Sequence, residues 1–249
     1  MRHQLKAVIE GLLGVAGYRI VRNRGLNRFD ALRGTLEALV ARNYSPRIVL
    51  DCGANIGQWT RIARPIFPSA EFHLVEPQQQ CHNALEALAH GMPGVRPYRF
   101  ALTSPGVASV RMKGGGASGT SSGAWVCTDE DHSGESCPAA TLDELFADKV
   151  HPEDRCFLKM DMEGHEIRAL LGADRLLTSV EFVLAETWFI DRPDGTCPIF
   201  SELLKTLKER GFEVYDIATL HGRPSDGRLR CGDVLFARRD SPFFDAEFS

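Results

Sequence analysis

Four apolar runs in the sequence stop on a carboxylate, and those acids are the first candidates for chemistry. Ile48-Val-Leu ends at Asp51, Phe72-His-Leu-Val at Glu76, Phe157-Leu-Lys-Met at Asp161, and Phe182-Val-Leu-Ala at Glu186. Acids gathered at one edge of a sheet suit a cationic ligand, and they leave one carboxylate over to orient or deprotonate a substrate hydroxyl. Asp51 opens the loop Cys52-Gly53-Ala54-Asn55-Ile56-Gly57, whose glycines let a ligand approach the backbone. The spacing departs from the dinucleotide fingerprint G-x-G-x-x-G: the middle position is Asn55, and Asp51 would repel a pyrophosphate. The same acid could help hold an ammonium or sulfonium. Glu76 follows Gly57 by 19 positions, close to the ~20 expected for an acid that accepts from both ribose hydroxyls. Asp51, Gly53, Asn55, Gly57 and Glu76 together point to S-adenosylmethionine as cofactor. A bulky residue at Gly53 or Gly57 is expected to block that ligand while sparing the apo fold.

The second stretch, Asp161-Met-Glu163-Gly-His165-Glu166, falls where a buried strand gives way to a helix. Ligands of doubly wound sheets bind at the carboxyl ends of strands, so Asp161 and Glu163 point toward the same ligand as the first loop. His165, with an ordinary pKa near neutrality, could accept a proton from a hydroxyl nucleophile, as could Asp161. Cys127, His132 and Cys137 have the softness of zinc ligands but match no zinc spacing; Asp161 and Glu186 could together hold a divalent ion, yet a metal-free site is expected because acids facing a sulfonium already have a cation to answer.

Strands and helices alternate around these residues. Trp59, Ile62, Ala63 and Ile66 recur at helical spacing after the first loop; Pro77 to His90 reads as a helix, Val95 to Leu102 as a third strand, and Thr141 as a helix cap. Pro198 to Gly211 is a helix, and the strands Phe212–Ile217 and Gly232–Ala237 suggest an antiparallel hairpin at the sheet edge. Residues 114–138, rich in Gly and Ser, read as a mobile loop that covers a ligand.

The 249 residues suit one α/β domain, here 47–240, with a short arm, 1–46. Net charge is −4, yet residues 1–47 hold nine Lys/Arg against three Asp/Glu, so the arm is basic and the body acidic. Seven cysteines without a C-x-x-C pair read as reduced thiols of a cytoplasmic protein. Leu5 to Ile20 form an amphipathic helical pattern too short and too charged to cross a bilayer. That helix is expected to dock on the protein's own body or on a second subunit in a homodimer, with an anionic membrane or lipid-phosphate carrier as the alternative. A second helix is expected over Asp30–Asn43. No nucleic-acid partner is expected.

Val49-Leu-Asp-Cys-Gly-Ala-Asn-Ile-Gly57, Val75-Glu-Pro77, Ala101-Leu-Thr103, Thr141-Leu-Asp143 and Leu158-Lys-Met-Asp-Met-Glu-Gly-His-Glu166 resemble the ordered motifs of the FkbM family of methyltransferases over roughly residues 47–238. The resemblance implies a Rossmann-like class I α/β fold, a mostly parallel seven-stranded sheet with an antiparallel edge strand. It also implies S-adenosylmethionine as cofactor and O-methylation of a sugar, glycan or microbial metabolite. By position it implies cofactor contacts at Asp51, Gly53, Asn55, Gly57, Glu76 and Ala101, with Asp161 and Glu163 facing the reacting methyl. A non-catalytic nucleoside-binding module and an NAD-dependent oxidoreductase are the alternatives; Asn55 and Asp51 speak against the second.

Overall fold

The computed structural model describes residues 27–114, 124–127, 134–190, 199–223 and 225–244. In chain order, α1 (Arg28–Ala41) leads into β1 (Ile48–Cys52), α2 (Gln58–Ala63), β2 (Glu71–Val75), α3 (Gln79–Gly91) and β3 (Val95–Tyr98). An excursion follows through β4 (Ala101–Leu102), β5 (Ser109–Lys113), β6 (Trp125–Val126) and β7 (Glu135–Ala140). The alternation resumes with α4 (Leu142–Phe146), β8 (Cys156–Met160), α5 (Glu166–Leu170), β9 (Val180–Trp188), α6 (Phe200–Glu209), β10 (Phe212–Gly222) and β11 (Leu229–Arg238).

Near-continuous apolar runs such as Cys156–Met160, buried at every position, are what a central strand needs when helices cover both faces. The main sheet has the order β10-β11-β9-β8-β1-β2-β3. Its β1, β2, β3, β8 and β9 pair in parallel, while β11 runs antiparallel to both β9 and β10 and completes a hairpin at that edge. Alternate residues along each strand feed two cores. Val49, Phe72, Leu74, Phe157 and Phe182 pack under α1, α2 and α3, and Leu50, Val75, Leu158, Met160 and Val183 under α4, α5 and α6.

The chain turns outward in both directions from the β1/β8 pair, so the carboxyl ends of these two strands form the topological switch point where ligands of such sheets bind. Thr141 caps α4 through a reciprocal capping box with Glu144.

Three expectations need correction. The strand expected over Val95–Leu102 is split: β3 is the edge of the main sheet, while β4 pairs with β7 in a separate four-stranded sheet of order β4-β7-β5-β6. Pro97 lacks a donor and is tolerated in β3 because that strand is paired on one side only. The segment 114–138 is not wholly irregular, since Trp125–Val126 and the first residues of β7 pair with β5. Gly/Ser content hid the weak alternation in which Cys137 and Ala140 are buried and Glu135, Ser136 and Pro138 exposed. Finally α1, grouped by sequence with the basic arm, buries Leu32, Leu36 and Leu39 in the domain's own core. The arm's first helix, Leu5 to Ile20, lies outside the described residues. None of the described helices is long and apolar enough to cross a membrane.

Candidate active site

A deep cleft opens at the switch point. The β1 loop contributes Gly53, Ala54 and Asn55; the end of β2 contributes Glu76, Pro77 and Gln78; the turn after β8 contributes Asp161, Met162, Glu163 and His165. Ala101 and Leu102 of β4 close one side, with Met112 of β5 and Val126 of β6 beyond them, and Arg28, Phe29 and Leu32 of α1 close another. The cleft therefore gathers Gly53, Asn55, Glu76, Ala101, Asp161, Glu163 and His165 of the sequence candidates. Asp51 and Gly57 are not among its lining residues.

Asp51 is fully buried beneath the loop, where its Oδ1 lies 3.0 Å from Lys159 Nζ and its Oδ2 accepts from Thr60 Oγ1 at 2.6 Å. The ammonium that Asp51 answers is the protein's own. Lys159 also donates to the carbonyl of Gly53 at 3.0 Å, so one buried cation fastens the first loop to β8. Burial works against the Lys159 charge, but Asp51 and Asp161 outweigh it and its pKa is raised.

Gly53 and Gly57 both have left-handed backbone, with φ of 76° and 79°. A Cβ on Gly53 would come within 1.9 Å of the backbone oxygen of Asp161, and one on Gly57 within 2.4 Å of Leu88 Cδ2. Gly53 is thus required where two site loops touch, and Gly57 where α2 meets α3. The expectation that substitution there would spare the apo fold is overturned. Left-handed backbone alone costs a residue bearing Cβ about 1–2 kcal/mol, and each kcal/mol lowers the melting point of a chain this size by ~2–4 °C. Gly53→Ala should therefore lower the apo melting temperature by several degrees in a thermal scan, and Gly53→Val by more. An unchanged melting point would show that the loops part freely.

Glu76 is 3% exposed. Its Oε2 accepts from Asn55 N at 2.8 Å and its Oε1 from Gln78 N at 2.9 Å. Burial raises its pKa and these two amides oppose the rise. The Gln78 side chain donates to the same carboxylate, which still has acceptor capacity for an outside donor. Asn55 sits at φ 50°, a conformation Asn tolerates better than most residues, and so aims its amide at Glu76.

Across the cleft, burial alone would raise the Asp161 carboxyl, but Lys159 and Arg28 hold it below the usual range. Glu186 moves the other way, pushed well up by burial and by the charge of Asp161. Glu163 has a φ of 52° and Gly164 of 106°, so the turn after β8 stores backbone strain beside the site. Glu166 steadies that turn from below: its Oε1 accepts from Met162 N at 2.7 Å, and burial pushes its carboxyl to about 7. His165 lies with Nε2 3.4 Å from Thr103 Oγ1, and burial, aided by Arg168, lowers its pKa to about 4. The imidazole is neutral at pH 7.

Residues 51–214 match the methyltransferase FkbM domain. The chain belongs to the FkbM methyltransferase family. It is accordingly an S-adenosylmethionine-dependent methyltransferase, and its fold is the class I methyltransferase fold. A Galdieria sulphuraria structure, provisionally described as a sarcosine dimethylglycine methyltransferase, superposes at a TM-score of 0.50 and 10% identity over 83% of this chain and 84% of that one. The 1,6-didemethyltoxoflavin-N1-methyltransferase of Burkholderia thailandensis gives 0.47 at 15% identity, covering 96% and 90%. Precorrin-6y C5,15-methyltransferase of Geobacter metallireducens gives 0.46 at 10%, covering 90% and 95%. A search of curated proteins finds no match.

The residues present fit the family's cofactor. Glu76 offers the paired acceptor that a ribose diol needs, and the indole Nε1 of Trp59, in the cleft wall, is buried without a hydrogen-bond partner among the described residues. Sequence reasoning missed Arg28, Lys159 and Asp233. Lys159 could have been noticed, because a lysine inside an apolar strand demands buried partners. Arg28 and Asp233 gave no local signal.

Proposed function

We propose that this FkbM family member transfers its methyl group to a hydroxyl oxygen of a sugar, glycan or microbial metabolite in the cytoplasm. The observation that carries the reading is the neutral His165 in the cleft wall, five residues past the buried end of the switch-point strand at Met160. A hydroxyl nucleophile must shed its proton as the new bond forms, and an uncharged imidazole is the cleft's ready acceptor. The ring nitrogen that faces the acceptor takes that proton, while Thr103 Oγ1 at 3.4 Å from Nε2 holds the ring in place. Glu76 accepts from the ribose hydroxyls, Asn55 and Ala101 line the bound nucleoside, and Asp161 and Glu163 supply negative charge toward the methyl. Asp51, Gly53 and Gly57 act one layer below, holding the loop in shape through Lys159, Asp161 and Leu88.

S-adenosylmethionine supplies a methyl already activated on a sulfonium, so the protein's own work is alignment, exclusion of water and removal of the proton. The apolar walls Phe29, Leu32, Met112 and Val126 serve the exclusion. The reading is tested by incubating the enzyme with methyl-¹³C cofactor and an extract of the source organism, then locating the label by NMR. A label on oxygen is expected; a label on nitrogen or carbon would overturn the proposal.

A further inference from the structure

Arg28 opens α1, 23 positions before the FkbM match begins, yet its guanidinium reaches acids of β9 and the antiparallel β11 and the acid that follows β8. Nη2 lies 2.6 Å from Asp233 Oδ1, 3.0 Å from Asp161 Oδ2 and 3.4 Å from Glu186 Oε1, while Nε donates to Asp233 Oδ2 at 2.9 Å. Asp233 is itself beyond the matched segment and 3% exposed, fixed by a hydrogen bond from Thr219 Oγ1. A bidentate pair to one buried acid, with two further acids on the same nitrogen, is far more than capping a helix requires.

We propose that Arg28 is a positioning residue for methyl transfer, tying Asp161 to Asp233 and Glu186 so that the Asp161 carboxylate keeps its place and its charge toward the cofactor's sulfonium. It rests on the reading of Asp161 as facing the methyl and is independent of which atom accepts it. The charged groups around Asp161 come from every neighbouring element: Arg28 from α1, Lys159 from β8 with Asp51 behind it on β1, Glu186 from β9, Asp233 from β11, and Glu163 and Glu166 from the turn and α5. Of the two cations, Lys159 is shared with Asp51 at 3.0 Å and stands 3.8 Å from Asp161, so Arg28 is the nearer partner. Without it, Lys159 alone would be left to answer Asp161 among the other acids, and the Asp161 carboxyl would move up from its lowered range. With it, the Asp161 carboxyl stays below its usual range and remains ionised.

The consequence is measurable without knowing the acceptor. S-adenosylmethionine carries a positive sulfur and S-adenosylhomocysteine a neutral one, so the ratio of their dissociation constants reports the charge at Asp161. In the wild type, calorimetric titrations should give a ratio that changes little between about pH 5.5 and 8.5, because Glu166, with its carboxyl at about 7, is held under the turn by Met162 N and does not line the cleft. In Arg28→Met, the preference for the sulfonium should rise with pH more steeply than in the wild type, by ~10-fold across that window, because Asp161 has lost its nearer cation. Arg28→Lys should restore the flat profile, because it returns the cation. If the Met variant fails to melt cooperatively, Arg28→Gln keeps two donors for Asp233 and Asp161 without the charge and carries the same expectation. A ratio as flat in a folded uncharged variant as in the wild type would overturn the proposal, and so would a pH dependence that lysine does not reverse. Failure of the O-methylation reading would leave these binding ratios untouched.

Discussion

Alanine in place of His165 lowers turnover by ~10²–10⁴-fold, the usual size of general-base catalysis, while affinity for S-adenosylhomocysteine stays near the wild-type value. The separation is expected because His165 lines the cleft on the Met162–Glu163 side, with Thr103 as its hydrogen-bond partner, and Glu76 stands at the end of another strand. The pH profile gives an independent sign. Burial and Arg168 hold the imidazolium pKa at about 4, so the neutral, proton-accepting form is lost only as pH falls through that value. The acid limb of kcat/KM should therefore lie near pH 4 in the wild type and not near the ordinary histidine value of about 6.5. Turnover undiminished in His165→Ala would mean that alignment alone drives the transfer, with the proton leaving to water.

The second large effect falls on binding. Glu76→Ala should raise the dissociation constant for S-adenosylhomocysteine ~10-fold or more, because a charged acceptor to hydroxyls contributes about 1.5–3 kcal/mol. Asn55 N and Gln78 N both donate to this carboxylate, so its removal also releases the two loops that flank the nucleoside. Some of the loss is then loop ordering, which Glu76→Gln separates: the amide oxygen can still accept from one loop, while the charge is gone. Equal affinity in a folded Glu76→Ala protein would remove the ribose assignment.

The ends of β1, β2 and β8 were legible because each apolar run stops at an acid, whereas β9 runs two residues past Glu186 to Trp188. The cap at Thr141 was legible for a local reason too, and the structure adds its reciprocal partner Glu144 within one helical turn. Asp51 shows the limit of such reasoning. Its position at the end of β1 was read correctly, but which cation it answers depends on Lys159, a residue 108 positions later in an apolar run. The glycines show a second limit, for sequence indicates that a Cβ is unwelcome without saying whether ligand or protein forbids it; at Gly53 it is the Asp161 backbone. Arg28 and Asp233 are separated by 205 positions, and nothing in the amphipathic pattern of α1 foretells which end of the sheet its first turn will reach. The β5–β6–β7 ribbon was hidden by composition, since Gly and Ser suppress the alternation that pairing imposes.

The most direct test of the account is a two-by-two titration of wild type and Glu76→Ala with S-adenosylhomocysteine and its 2′,3′-dideoxy analogue. The account places the ribose hydroxyls on Glu76, so removing either partner removes the same interaction. Each single change should weaken binding ~10-fold or more, and the two together should cost no more than the larger of them. Losses that add in full, or a wild type that binds both ligands equally well, would contradict it.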